Sequence, residues 1–205
     1  MKNKNHTYFV SAIGTDSGKT LVSALLVKKL SATYWKAIQC GTPTDTNQIK
    51  TWFGKSVKTL PERWFLSTPA SPHFAAAQEH TKVLVADFTI PEIDGNLIIE
   101  GAGGLMVPLN YGETTADLIC HLGLPVVLVI NHYLGSLNHS LLTISELNRR
   151  EIPIVGIVFN GENFQDAEDI ILNLAGCKCW LRLPVLEKID ADVISFWAEK
   201  LNMDI

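Results

Sequence analysis

The alternation of two kinds of segment limits this chain more than any single residue does. Short apolar, β-rich stretches, TYFVSAI (7–13), TYWKAI (33–38), NLIIE (96–100), PVVLVIN (125–131) and PIVGIVF (153–159), are separated by amphipathic stretches over 18–31, 44–53, 136–150, 164–175 and 188–202. A short apolar run suits a strand covered on both faces, and a longer amphipathic run suits a helix that covers it. Repeated βα units of this kind predict an α/β fold with a mainly parallel sheet flanked by helices. The stretch 54–95, with Pro61, Pro69, Pro72 and Pro91, breaks the rhythm and is expected to hold a loop and a short helix near 72–79. With no repeat, low-complexity tract or boundary, residues 1–205 are expected to form a single domain.

Composition removes several classes. Hydrophobic residues make up 47% and charged residues 19% of the chain, the balance of a packed globular domain rather than a disordered or fibrous one. A net charge of -4 gives no electrostatic reason to expect nucleic acid as a partner. Apolar runs such as Pro125 to Ile130 fall far short of the ~20 residues that span a membrane, and the opening MKNKNHTYFV has no apolar signal-peptide region. No membrane partner and a cytoplasmic location are therefore expected. Cys40, Cys120, Cys177 and Cys179 show no second Cys/His pair at zinc spacing, so they read as small, mostly buried thiols.

The strongest chemical signal lies where the first strand meets the first helix, in SAIGTDSGKT (Ser11 to Thr20). In a P-loop, backbone N–H groups cradle phosphate oxygens, the lysine reaches the β and γ phosphates, and the next hydroxyl sits on magnesium. Lys19 and Thr20 take those roles, and Gly18 lets the backbone approach; Ile13 stands where the usual first glycine is found. A second signal is Glu100, which leaves the strand NLIIE and is followed by Gly101, Ala102, Gly103 and Gly104. Ligands of open α/β sheets bind beyond the carboxyl ends of strands, so this carboxylate is placed to hold magnesium beside phosphate. A third is Lys36 at the end of the second strand, with Asp45 following in PTDTN. Alone, such a lysine is a solvated charge; beside a second carboxylate it suits a cation that gathers negative charge at a γ-phosphate.

The segments SAIGTDSGKT, WKAIQCG, PTDTN, SPHFAAAQE, IIEGAGGLMVPL and LGSLNHSLLT, in this order, resemble those of dethiobiotin synthetases. The pair E-G-A-G-G with V-P-L and the L-G-x-x-N-H segment discriminate most, because P-loops alone serve many activities. The resemblance implies a P-loop NTPase-like fold and a cyclo-ligase of biotin biosynthesis. Such an enzyme closes the ureido ring of dethiobiotin from 7,8-diaminononanoate, CO2 and ATP with Mg2+, through a carbamate and a carbamic-phosphoric anhydride.

It also implies residue roles. Thr15, Asp16, Ser17, Gly18, Lys19, Thr20 and Leu21 hold the triphosphate together with Gly101, Ala102 and Gly103, and Thr20, Asp45 and Glu100 hold the metal. Lys36 and Lys19 are catalytic. Asn160 reads the adenine, with Leu183, Pro184 and Val185 part of the base pocket. Cys40 touches substrate, standing with Ala37 where the family has a hydroxyl residue and a proline. Gly135, Ser136, Leu137 and Asn138 open the helix at which one subunit receives the substrate carboxylate from the other's site, so a homodimer is implied. The alternative, a partitioning-type switch ATPase of the same fold, typically carries an extra lysine where this chain has Gly14.

Overall fold

The computed structural model describes residues 5–162 and 165–203. In chain order its elements are β1 (Thr7–Ala12), α1 (Lys19–Leu30), β2 (Thr33–Lys36), β3 (Ile38–Cys40), α2 (Asp45–Phe53), β4 (Thr59–Leu60), β5 (Trp64–Leu66), α3 (Pro72–Gln78), a 3-10 turn (Val85–Asp87), β6 (Leu97–Glu100), α4 (Thr115–Leu122), β7 (Val126–Asn131), α5 (Ser136–Arg149), β8 (Ile154–Asn160), α6 (Gln165–Ala175), β9 (Cys179–Leu183) and α7 (Ala191–Glu199). Seven strands form one sheet in the order β4-β2-β6-β1-β7-β8-β9, with every pairing parallel. β3 and β5 form a separate parallel pair. The mainly parallel α/β fold expected from the alternation is the one the chain adopts.

The pleat of the strands sorts the core into two layers. Tyr8, Val10 and Ala12 of β1 pack with Val22, Leu25 and Leu26 of α1 and Ile194 of α7, whereas Phe9 joins Leu97, Ile99, Leu128, Ile130 and Phe159 in the other layer. Fully burying each large apolar side chain is worth ~1.5–3 kcal/mol, so the covered sheet is the main stabilising unit. Helix α1 is buried at every position from Leu21 to Val27, which explains why its sequence is apolar nearly all round.

Several boundaries differ from expectation. TYWKAI is not one strand: the chain leaves the main sheet after Lys36, and Ile38–Cys40 pairs with Trp64–Leu66 instead. Ala37 is the crossing point, its N–H donating to Glu100 in one sheet and its carbonyl accepting from Arg63 and Trp64 beside the other. The first helix begins at Lys19 because Gly18 is its N-cap, and it ends at Leu30 where Ser31 turns left-handed. The last helix is shorter than 188–202, since the Asp190 side chain accepts from the Val193 N–H at 3.0 Å and sets its start. Residue 164, expected to begin a helix, lies outside the described residues. Helix α4 and strands β4, β5 and β9 were not expected. Yet α4 carries its own signals: Asp117 accepts from the Thr114 backbone at 2.7 Å, and Gly123 terminates the helix.

Candidate active site

The loop between β1 and α1 turns on two left-handed residues, Asp16 (φ 55) and Gly18 (φ 91). At Gly18 the requirement is also steric, because a Cβ there would lie 2.3 Å from the Asn160 amide nitrogen. Asn160, the last residue of β8, donates from that nitrogen to the Ser17 carbonyl at 3.1 Å and so braces the loop. Ser17 Oγ donates to the Gly14 carbonyl at 3.1 Å, and Lys19 Nζ donates to the same oxygen at 3.2 Å. Lys19 is thus folded back over its own loop, where a phosphate would meet it. Burial first, and the Lys36 charge second, pull its pKa down to about 8, although Glu100 and Asp45 oppose the fall.

The neighbouring strand ends supply the rest of the charge. Lys36 is the Cα partner of Glu100 across β2 and β6, so strand register alone brings the two side chains together. Lys36 Nζ stands 2.9 Å from Glu100 Oε1, 2.6 Å from Asp45 Oδ2 and 2.9 Å from the Gly101 carbonyl. Glu100 is fully buried; its Oε1 also accepts from Thr20 Oγ1 at 3.1 Å, and its Oε2 from the Tyr34 hydroxyl at 2.9 Å. Burial disfavours the Lys36 charge, but Glu100 and Asp45 outweigh it and hold the pKa above the ordinary lysine value. For Asp45, burial is likewise outweighed by Lys36, and the carboxyl stays below its usual range. Asp45 opens α2, where its N–H donates to Gln39 Oε1 at 3.1 Å. The Thr20 hydroxyl and two carboxylates form an oxygen-only donor set, the chemistry that suits a hard cation such as Mg2+.

These groups line one cleft of about 710 Å³, together with Thr15, Asp16, Ser17, Gly18, Cys40, Ala102 and Gly103. Leu21 and Gly101 are not in that lining, although the Gly101 carbonyl binds Lys36. Burial pushes the Cys40 thiol up to about 11, against the pull of Lys36, so it faces the cleft as a neutral group. Sequence reasoning missed Ile38, Gln39, Pro69, Ala70, Ser71, Pro72 and Val107, which also line the cleft. The signal at Ser71-Pro72 was present, since a serine followed by proline marks a helix start.

Leu183, Pro184 and Val185 lie at the end of β9 and line a second cavity of about 420 Å³, with His132, Phe159 and Gly161 among its other walls. Gly135 (φ 100) caps α5, and Gly135, Ser136, Leu137 and Asn138 are absent from the lining of the main cleft in this chain. A third cavity, about 390 Å³, runs from Gly14 and Met106 to His139 and Leu142 of α5.

Comparison with known proteins fits this geometry. A family profile described as an AAA domain matches residues 6–193. A protein named ATP-dependent dethiobiotin synthetase BioD from Cytophaga hutchinsonii is 48% identical over 197 residues, covering 95% of this chain and 96% of its own. Proteins of the same name from Christiangramia forsetii (42% identical; 96% of each chain) and Brucella anthropi (40%; 93% of this chain and 91% of that one) are also similar. Among solved structures, a ParA family ATPase from Chlorobium tepidum TLS superposes with a TM-score of 0.54 over 97% of this chain and all (100%) of that one, at 14% identity, which supports the fold alone. Among the described residues, no helix is long and apolar enough to cross a membrane. With relatives this similar over nearly its whole length, the chain belongs to the ATP-dependent dethiobiotin synthetase family of ligases.

Proposed function

We propose that this chain closes the ureido ring of dethiobiotin from 7,8-diaminononanoate, CO2 and MgATP. One amine of the diamine adds to CO2 and loses a proton to give a carbamate, and a carbamate oxygen attacks the γ-phosphate of ATP and displaces ADP, leaving a carbamic-phosphoric anhydride. The second amine then attacks the carbonyl of the mixed anhydride and expels phosphate. Lys19 and Lys36, both buried at the cleft wall, offset the negative charge that grows during phosphoryl transfer. Thr20, Asp45 and Glu100 hold Mg2+, which when bound neutralises phosphate charge. The ring closes readily because both nitrogens belong to one bound molecule. The observation that carries this reading is Lys36, buried between Asp45 and Glu100 in the same cleft as Lys19.

A homodimer belongs to the same proposal. Gly135 to Asn138 form a helix N-terminus outside the lining of the chain's own cleft, and near it Leu134 is fully exposed and Leu142 and Met106 are more than half exposed. That apolar surface beside an anion-binding helix end is suited to a second copy that brings the substrate carboxylate. The decisive assay is phosphate release from ATP with and without the diamine and bicarbonate. Release that requires both supports the ligase; release indifferent to both leaves only an ATPase.

A further inference from the structure

The wall of the second cavity holds a charge cluster that the ligase chemistry does not use. Glu168 of α6 is buried (1% exposed), and both its oxygens are engaged: Oε1 with His132 Nε2 at 3.0 Å and Oε2 with Arg182 Nε. The three residues come from separate elements that the sheet order β7-β8-β9 brings together. His132 stacks on Phe159 with ring centroids 5.3 Å apart and planes 12° from parallel, and the Arg182 guanidinium carbon lies 5.7 Å from the same ring centre. A carboxylate buried this deeply is costly unless paired, and its partner here is an arginine that stays half exposed at the cavity wall. With Nε fixed on Glu168, the planar fork of Arg182 is oriented before any ligand arrives. Beside it are Leu183, Pro184 and Val185.

We infer that Arg182, oriented by Glu168, is a nucleobase-specificity residue that extends nucleotide use from ATP to triphosphates whose base carries a ring carbonyl. The inference rests on the proposed ligase function, with the base at the ends of β8 and β9. A guanidinium only donates hydrogen bonds. Guanine offers it O6 with N7, and cytosine offers O2 with N3, whereas adenine sets an amino donor beside N7. Glu168 is a positioning residue in this arrangement, and the stacked His132 helps to hold it.

The test compares binding of MgATP, MgGTP, MgCTP and magnesium tripolyphosphate by calorimetry, with KM and kcat alongside, in the parent, Arg182→Lys, Arg182→Ala and Val185→Trp. Arg182→Lys keeps a cation for Glu168 but removes the fork, so it separates base reading from structural support and decides the matter even where Arg182→Ala does not fold. On the strength of a lost bidentate contact, both arginine variants are expected to weaken GTP and CTP on the order of 10-fold, leaving ATP within about 3-fold. Tripolyphosphate binding and kcat should not move. Equal weakening of all three nucleotides, or of none, overturns the role of Arg182. Val185→Trp should weaken every nucleotide but not tripolyphosphate. No effect there would mean that the base binds elsewhere, and the placement and the inference would fall together. A selective effect of Val185→Trp with an unchanged GTP-to-ATP ratio in Arg182→Lys would remove the inference alone.

Discussion

Lys36 Nζ lies 2.6 Å from Asp45 Oδ2, and so binds one of the two carboxylates assigned to the metal. It holds the other, Glu100, at 2.9 Å. The lysine therefore neutralises charge on both carboxylates, and a cation held by Asp45 and Glu100 competes with it for them. Lys36→Gln leaves buried carboxylates without their cation, a change that costs ~3–5 kcal/mol of stability when a buried pair is broken from one side. The expected result is a lower Tm than the parent without Mg2+, and a larger gain in Tm than the parent when Mg2+ is added. With ATP and both substrates, kcat should fall on the order of 100-fold, or ~3 kcal/mol, more than ATP binding weakens. A variant within a factor of two of the parent in kcat, and no more responsive to Mg2+, would reduce Lys36 to a structural charge.

Lys19 makes the site sensitive to pH. Its pKa in the folded protein, about 8, lies below the ordinary 10.5, chiefly through burial. Between those two values the unfolded chain holds more protons than the folded one, so this group makes the fold more stable as pH rises through the window and less so below it. Phosphate binding has the opposite demand, since it favours the ammonium form. Triphosphate binding at pH 8 should thus take up about half a proton at Lys19. Calorimetry in buffers of different ionisation heat measures the uptake, and Lys19→Met should abolish this component while the protein stays folded. An uptake unchanged by the substitution would place the titration elsewhere.

Most of the sheet and the charged heart of the site were legible because each depends on local pattern. Buried parallel strands read as apolar runs, and Lys19 and Thr20 belong to one short motif. Glu100 and Lys36 each close a strand, and parallel pairing makes them partners. The missed strands β4 and β5 are only two and three residues long, too short for any periodicity to register. The split of TYWKAI was hidden for a different reason: the switch at Ala37 depends on Arg63 and Trp64, which are distant in sequence. Likewise Gln39 reaches the site through its bond to the Asp45 backbone, and His132, Glu168 and Arg182 meet only because β7, β8 and β9 lie side by side.

Gly156 of β8 is a packing requirement in that same region. A Cβ at this position would stand 2.2 Å from the Trp180 indole of β9, closer than any side chain tolerates. Trp180 itself is nearly buried, at 4% exposure, and packs edge-on against Tyr8. Gly156→Ala must therefore shift the indole or the strand, and overpacking of this kind costs ~1–3 kcal/mol. Denaturant unfolding should show a lower midpoint with an unchanged slope. Adding Trp180→Phe should recover part of the loss by vacating the indole's volume, so a double variant less stable than the sum of the singles would argue against the contact.

The proposed dimer predicts that inactive chains can rescue each other. Lys19 lines the cleft, whereas Asn138 lies on the helix start that the cleft of its own chain does not include. If that helix start completes a neighbour's site, Lys19→Ala and Asn138→Asp each disable every site in their own homodimer, the second by setting a negative charge against the substrate carboxylate. A hybrid of the two contains one site with both defects and one with neither. Random mixing of equal amounts makes about half of the dimers hybrid, so about a quarter of the parent activity should return. Subunit exchange can be followed independently by energy transfer between labelled chains. Full exchange with no return of activity would mean that each chain completes its own site, and the exposed surface around Leu134 and Leu142 would then need another explanation.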